Sequence, residues 1–383
     1  MESLVQAIGR AVQEGRTRKS LTPLTLAERS YVSLEDITAA EDGRLLLSTG
    51  KLERIAGVLD LEPFPLFKGQ FVVTPEAALF FRHGSHPDFV DEDLGQLRRA
   101  LEGGLALLEV NEILQRPLGL RSLFKPEEPA GDKVYRVGYV AAQRVREALG
   151  NEQGPLLDLR AIIEDRFDVA IVAARLRTRG AFAVTVKEPS RGAAAIVLNT
   201  AKGEASGSPL ARRVSLAHEL AHVLFDEEAL RIDLVTADSL SGDPIERRAN
   251  AFAAELLIPL AGLEAQWGKA QMVSSPAQAD ALIDQVRAEY LTPPELTVNH
   301  LINREYIVKD EAFRKNLIKA AVVRKSPVDV PELTLAAPRE DAPSIALTER
   351  LREAHERILI TGGRAREALG LPPGAPLPWE VAL

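Results

Sequence analysis

The stretch of sequence that decides the fold is His218-Glu219-Leu220-Ala221-His222. On an α-helix, residues four positions apart lie on the same face, so two imidazole rings can reach one metal ion with Glu219 beside them. The chain has only 6 histidines. A pair at this spacing, with glutamate after the first, should arise by chance in roughly one chain in a hundred of this composition. The pattern therefore predicts the metal-binding helix of a zinc hydrolase.

The residues around this motif favour a buried helix. No proline or glycine interrupts residues 210–230, and strong apolar residues recur along the run. These are Val214, Leu216, Leu220, Val223 and Leu224. Two histidines on an apolar helix need polar partners, and the alternative to a metal ion is that neighbouring carbonyls satisfy them. We favour the metal ion because it satisfies both rings at once.

A second predicted helix supplies a candidate for the third ligand. Asp243 suits an N-cap, Pro244 suits the first helical position, and Pro259 marks the far end. Glu246 then lies in the first turn, on the same side as Ala249 of the apolar stripe. A carboxylate on a buried face needs a cationic partner, which zinc would provide. The alternative is that Glu246 only favours the positive end of the helix dipole.

Two other carboxylates are weaker candidates for the third ligand. Glu255 lies farther along the second helix, and Asp226 ends the first helix at a position predicted to face away from the histidine pair. A catalytic zinc takes three protein ligands and keeps a position for water, whereas a structural zinc is closed by four ligands, usually with thiolates. The chain has no cysteine, which excludes a thiolate site.

These motifs resemble those of the ImmA/IrrE metallopeptidase family. The matching residues are the His-Glu-Leu-Ala-His motif, its Arg-Arg-x-Ser-Leu-Ala lead-in, and a Glu-x-x-Ala-Asn-x-Phe-Ala-Ala-x-Leu-Leu-x-Pro block that begins at Glu246. The resemblance implies that His218, His222 and Glu246 bind Zn²⁺ and that Glu219 is the general base. One departure is Ala221, where the family usually has glycine, and its added methyl group should not impair ligation.

Upstream of the motif, the sequence predicts two helices and a small sheet. The helices cover residues 135–150 and 156–163. Three short apolar runs bounded by Gly, Arg or Pro are predicted strands, at 169–173, 181–186 and 194–199. The resemblance covers about 135–265 and implies an α+β fold with a zincin-like domain. Because peptide substrates commonly pair with an edge strand, we expect the strand that ends at Asn199 to be that edge.

Residues 1–69 resemble a different kind of domain, the five-helix helix-turn-helix of phage-repressor (XRE-like) type. Leu4, Ile8 and Val12 are spaced as one helix face. The Leu-Thr, Leu-Ala-Glu, Val-Ser, Glu-x-Gly and Ile-Ala-x-x-Leu positions that follow all match that domain.

The charges of this N-terminal segment oppose DNA binding. The would-be recognition helix carries four acidic residues, Glu35, Asp36, Glu41 and Asp42. Acidic side chains that face phosphates weaken the attraction that supplies most DNA affinity. A basic cluster, Arg16, Arg18 and Lys19, could touch a DNA backbone or form a solvated helix end. We therefore favour dimerisation or partner docking over DNA binding, and we name no DNA-contacting residue.

The rest of the chain is predicted to be mostly helical. Residues 70–130 are a helical connector, in which a helix over 97–114 is weakened by Gly103-Gly104. A peptidase domain over 131–270 precedes a helical, helix-turn-helix-like segment over 271–326, where 277–290 and 297–307 are paired helices. Residues 327–383 contain a linker, a final helix and a proline-rich tail.

Within this C-terminal region, the final helix is predicted over 345–360. Alternating Glu and Arg residues along it are typical of a solvated helix face, and Gly362-Gly363 is predicted to end it. The tail through Trp379 could dock on a partner or lie on the surface of its own chain.

Composition limits the class of protein. The 383 residues carry a net charge of -8, which argues against general polyanion binding. No apolar run approaches membrane-spanning length, and the N-terminus lacks the apolar core of a signal peptide. The absence of cysteine fits a reducing compartment. We therefore expect a cytoplasmic protein with no membrane partner.

The leading functional hypothesis is a zinc endopeptidase that cleaves a protein partner. By resemblance, the partner is a helix-turn-helix repressor whose cleavage switches on stress-response or mobile-element genes. The alternatives are a transcriptional regulator whose zinc site is regulatory or structural, and one component of a toxin–antitoxin pair. His300, Arg304 and Tyr306 could fold back toward the site or lie at the surface, so the sequence assigns no oxyanion donor and specifies no oligomeric state.

Overall fold

The computed structural model describes residues 3–18, 21–59, 61, 63–70, 91–126, 134–177, 182–188, 191–200, 209–226, 230–231, 244–324 and 343–381. Contacts between backbone positions divide the chain into two compact units, Met1–Pro87 and Asp88–Leu383. Each unit has a hydrophobic core of its own. The predicted class, α+β with flanking helical regions, is confirmed.

The first unit consists of helices in the part that the structure describes. They are α1 (Leu4–Arg18), α2 (Pro23–Ser30), α3 (Leu34–Glu41), α4 (Thr49–Leu59) and α5 (Pro63–Phe67). Thr22 and Ser33 cap α2 and α3, because their hydroxyls accept hydrogen bonds from Thr25 N and Asp36 N. Apolar residues from the helices meet in one buried cluster that includes Val12, Leu26, Ile37 and Ile55.

Ion pairs inside this unit use several of the charges that the sequence considered for DNA contact. The Arg16 guanidinium binds both carboxylate oxygens of Glu41, at 2.6 and 2.8 Å. The Asp36 carboxylate lies 2.6 Å from Lys51 Nζ. Glu35 and Leu34 remain exposed on α3. The Arg18 side chain and Lys19 lie outside the described residues.

The second unit contains the predicted zinc motif. Its helices are α6 (Asp91–Ile113), α7 (Val134–Leu149), α8 (Leu159–Phe167), α9 (Pro209–Phe225), α10 (Pro244–Leu257), α11 (Leu260–Trp267), α12 (Pro276–Tyr290), α13 (Pro294–Asn303), α14 (Glu311–Val323), α15 (Ile345–Glu356) and α16 (Gly362–Ala368). Its strands are β1 (Ala170–Ala174), β2 (Ala183–Glu188), β3 (Ala193–Asn199) and β4 (Leu230–Arg231). The helices and strands predicted over 135–199 are confirmed within a few residues.

The four strands form one mixed sheet in the order β1-β3-β2-β4. β3 pairs parallel with β1 and antiparallel with β2, and every residue of β3 is buried. The prediction that the strand ending at Asn199 is an edge is therefore wrong. A continuous apolar run means that both faces of a strand are covered, which is typical of an internal strand.

Side chains of α8 close the outer edge of β1. Glu164 Oε1 accepts a hydrogen bond from Ile171 N at 3.1 Å, and Arg160 donates to Ile171 O at 3.1 Å. These bonds use the backbone groups that an added strand would need. Among the described strands, the opposite edge of the sheet is formed by β4 beside β2.

Helix α6 packs against the sheet and continues through Gly103-Gly104 without a break. The predicted helix is confirmed, and the two glycines do not interrupt it. A Cβ atom at Gly104 would lie 2.7 Å from the carbonyl oxygen of Ala194 in β3. The residue is glycine because α6 approaches the sheet backbone too closely for a side chain.

We expect Gly104→Ala to lower the free energy of unfolding of the second unit by about 1–3 kcal/mol, because the neighbouring atom is backbone and cannot turn away. Gly95 lies in the same helix and offers a matched control, since a Cβ atom there would meet no other atom of the described chain within 4 Å. Gly95→Ala should raise stability by about 0.5–1 kcal/mol through helix propensity. Urea unfolding of both variants measures the difference, and equal effects would contradict the close approach.

The C-terminal helix α15 docks onto α6 and α8. Most Glu and Arg residues of this helix are exposed or half-buried, as their alternation predicted, but Arg350 is buried and lies 3.2 Å from Asp168 Oδ1. Gly362-Gly363 does not end this helix; α15 ends at Glu356, and α16 begins at Gly362 with Thr361 as its N-cap. The prediction for the two glycines is wrong, because Thr361 caps a new helix at that position.

The proline-rich tail lies on its own chain in the part that the structure describes. Leu377 is fully buried, and the Trp379 ring lies 6.0 Å from the His355 ring of α15. Of the two predicted alternatives, the structure has the tail on the surface of its own unit. Of the linker predicted over 327–343, residues 327–342 lie outside the described residues. Among the described helices, none is both long enough and apolar enough to cross a membrane.

Candidate metal centre

The two histidines of the motif lie on one face of α9, close to the first turn of α10. His218 Nε2 and His222 Nε2 are 3.0 Å apart, and Glu246 Oε2 lies 3.2 Å from His218 Nε2. Glu246 Oε1 lies 3.8 Å from His222 Nε2. One atom from each residue thus falls within 4.8 Å of the others, in a group that could hold a metal ion. The structure brings together the three residues that the sequence singled out as ligands.

These distances fit a tetrahedral metal ion. Ligand atoms about 2.0–2.1 Å from a tetrahedral zinc ion lie roughly 3.3 Å from one another. The two shortest separations, 3.0 and 3.2 Å, lie near that edge length. Both histidine residues are buried, and the Glu246 side chain is 15% exposed. Two imidazoles and a carboxylate form the donor set of one common class of catalytic zinc site.

The other ring nitrogens are held by acceptors. His218 Nδ1 lies 3.1 Å from Asn250 Oδ1, and His222 Nδ1 lies 2.6 Å from Asp226 Oδ2. An acceptor at Nδ1 places the ring proton there, which leaves the lone pair of Nε2 free to bind a metal. Both rings therefore present the nitrogen that faces Glu246 in the form that coordinates metal.

Glu219 lies beside this cluster and is oriented by the sheet. The Thr185 hydroxyl, in β2, lies 2.7 Å from Glu219 Oε2 and 3.2 Å from the Glu219 carbonyl oxygen. Both residues are buried. Because the hydroxyl has one proton, the shorter contact to the carboxylate is the stronger donor bond. The sequence analysis missed Thr185, although a polar residue inside an apolar strand is a signal for such a contact.

The prediction that Asp226 faces away from the histidine pair is wrong. Asp226 follows the last residue of α9 and contacts His222, four positions earlier. Its other carboxylate oxygen pairs with Arg248 of α10. The sequence spacing could have predicted the contact between Asp226 and His222, because residues four apart share a helix face. The same spacing places Asn250 on the face of Glu246.

Glu255, the other alternative ligand, belongs to a separate buried cluster. It is paired with Arg304 and lies 3.4 Å from His300 Nε2. Burial acts to raise the pKa of Glu255, but the hydrogen bonds and charges of His300 and Arg304 outweigh burial and hold the pKa at about 2. His300 is buried and Arg304 is half-buried, and both join the end of α10 to α13 through Glu255. Tyr306 is buried elsewhere, and its hydroxyl donates to the carbonyl oxygen of Gly268 at 2.6 Å.

Two histidines and a glutamate gathered from two helices, with a second glutamate oriented beside them, define a site of the metallopeptidase type. Residues 193–277 match the model of the Peptidase M78 family, described as an IrrE N-terminal-like domain. The match includes His218, Glu219, His222 and Glu246, and it supports a metallopeptidase of the IrrE/ImmA type. No curated protein matches the chain.

Proposed function

We propose that the chain is a zinc-dependent endopeptidase that cleaves a protein partner, with a helix-turn-helix transcriptional repressor as the substrate. The observation that supports the proposal best is the arrangement of Nε2 of His218, Nε2 of His222 and the Glu246 carboxylate around one point. The engagement of both Nδ1 atoms by acceptors adds to it. In this proposal the three residues are the metal ligands and Glu219 is the general base.

When bound, zinc lowers the pKa of a coordinated water toward neutrality and polarises the carbonyl of the scissile amide. The Glu219 carboxylate accepts the proton of that water and later donates it to the leaving amine. The Thr185 hydroxyl holds Glu219 Oε2 in one orientation for both transfers. A buried carboxylate fixed in this way needs little reorganisation at the moment of reaction.

A protein substrate, rather than DNA, is favoured by the surface of the N-terminal unit. Leu34, Glu35 and Thr38 are exposed residues of α3, so this helix presents an apolar and acidic surface. Arg16, one of the three candidates for phosphate contact, is paired with Glu41. Acidic and apolar groups suit a protein partner better than a polyanion. Cleavage of a repressor would occur in the cytoplasm, where we propose that the protein acts.

The test is a cleavage assay with the full-length chain and purified helix-turn-helix repressors, beginning with any repressor encoded beside it. We expect discrete fragments by mass spectrometry in the presence of Zn²⁺. A chelator should abolish cleavage, and added Zn²⁺ should restore it. Cleavage that persists after complete metal removal would contradict a zinc peptidase, and an intact repressor in every reaction would contradict this substrate.

A transcriptional regulator is the second candidate, because the five described helices of the N-terminal unit share a core of their own and could bind DNA or a protein partner. In that case promoter DNA would bind, with an affinity that falls steeply as salt rises. We expect no binding that depends on promoter sequence. Measuring binding to promoter DNA and to scrambled DNA over a salt series separates the two functions.

A further inference from the structure

The buried carboxylate of Asp226 connects α9 and α10, the two helices that carry the candidate ligands. The Asp226 side chain is 3% exposed, and its Oδ2 lies 2.6 Å from Nδ1 of the fully buried His222. A short hydrogen bond away from water is stronger than one at the surface. It fixes both the rotation of the His222 ring and the position of the ring proton.

The second oxygen of Asp226 reaches the other helix. Oδ1 pairs with the guanidinium of Arg248, which lies in α10 two residues after Glu246. The Arg248 side chain is 1% exposed. Because the ends of this ion pair belong to different helices, it fixes α10 relative to α9. The register of α10 sets how close the Glu246 carboxylate comes to the two histidines.

Strand β2 supports the backbone of the same residue from a third direction. Lys187 Nζ lies 3.0 Å from the carbonyl oxygen of His222 and also donates to the carbonyl oxygen of Asp226. It thus binds carbonyl groups at the C-terminal end of α9, where a positive charge is favourable. The backbone that carries Asp226 is held in place by Lys187, and the Arg248 guanidinium offsets the cost of burying the carboxylate charge.

We infer that Asp226 is a positioning residue for the metal centre: its carboxylate orients His222 through one oxygen and fixes the helix of Glu246 through the other. The inference rests on the proposed metal site. Partners of this kind on a ligating histidine typically contribute about 10- to 100-fold to metal affinity. A merely structural ion pair would change the free energy of unfolding and leave metal affinity as it is.

The experiment compares zinc affinity of full-length variants by competition with a chromophoric chelator. We expect Asp226→Asn to weaken Zn²⁺ binding by about 10- to 100-fold, because an amide cannot hold the ring and the guanidinium with the same charge. The matched control is Asp168→Asn, which removes a carboxylate from another buried ion pair of the same unit. The control should lose stability and keep the wild-type zinc affinity. Equal zinc affinity in wild type and Asp226→Asn would overturn the inference.

Arg248→Met tests whether the ion pair between Asp226 and α10 positions Glu246. This variant keeps the contact between Asp226 and His222 and removes the tie to α10. We expect this variant to bind zinc more weakly. In the double variant with Asp226→Asn, the fold-loss of zinc affinity should be smaller than the product of the two single fold-losses. Wild-type affinity in Arg248→Met would show that the tie between the helices does not position Glu246.

Nitrogen NMR of histidine-labelled, zinc-free wild-type protein gives a readout that does not depend on any variant folding. We expect the neutral His222 ring to carry its proton on Nδ1, and a neutral ring with its proton on Nε2 would overturn the inference. The outcomes also separate this inference from the proposed function. A wild-type chain that binds no zinc defeats the metallopeptidase proposal, whereas a wild type and an Asp226→Asn variant that bind zinc equally well defeat only the role of Asp226.

Discussion

Replacing Glu219 with glutamine should reduce the rate of peptide cleavage by about 10²- to 10⁴-fold, the usual contribution of a general base. An amide has nearly the same shape as a carboxylate but cannot accept the proton of a water molecule at neutral pH. The Thr185 hydroxyl can still donate to the amide oxygen, so the side chain should keep its position.

Zinc content should be unchanged in this variant, because Glu219 is not one of the three residues grouped around the metal position. A suitable control is Glu264→Gln, since Glu264 is an exposed glutamate on α11 within the segment that matches the peptidase family. The control should cleave at the wild-type rate. If Glu219→Gln cleaves as fast as wild type while zinc content is equal, the base is a different residue.

The grouping of the candidate ligands could be predicted from sequence, in part because helix geometry fixes the relation of the two histidines. His218 and His222 share a helix face at a spacing of four, whatever surrounds the helix. Predicting Glu246 required one more argument, which is that a carboxylate on a buried helix face needs a cation. The structure places all three within reach of one ion.

The residues that support the candidate ligands could not be predicted in the same way. Thr185 reaches Glu219 only because β2 packs on α9, and the sequence separation of 34 positions carries no sign of that contact. Asp226 has the right spacing to contact His222, yet its role also depends on Arg248 of another helix. Such contacts are set by the packing of elements, which periodicity does not describe.

Strand order and close backbone contacts could not be predicted from sequence for the same reason. Apolar runs predicted the strands, but only the pairing of β3 with both β1 and β2 shows that it is internal. Gly104 has low helix propensity, yet its position against Ala194 makes the missing side chain a requirement of packing. Helix propensity thus disfavours glycine at this position, whereas the close contact with β3 requires it. The contact determines which residue is found there.

Arg350 gives the largest stability effect that we expect from a single residue. Its guanidinium, 3% exposed, lies 2.7 Å from Asn111 Oδ1 and 3.2 Å from Asp168 Oδ1. Asp168 also accepts hydrogen bonds from Asn111 Nδ2 and Gly119 N, so one network joins α6, α8 and α15. Breaking a buried pair by removing one partner leaves an uncompensated charge behind.

We therefore expect Arg350→Met to lower the free energy of unfolding of the second unit by about 3–5 kcal/mol. The control is Arg357→Met, just after α15, because the Arg357 side chain is 54% exposed and pairs with Glu353 at the surface. Exposed pairs are worth about 0–1 kcal/mol, so the control should change little. Both tryptophans, Trp267 and Trp379, belong to this unit, and their fluorescence during urea unfolding reports it selectively. Equal urea midpoints for the two variants would mean that Arg350 does not hold the C-terminal helix in place.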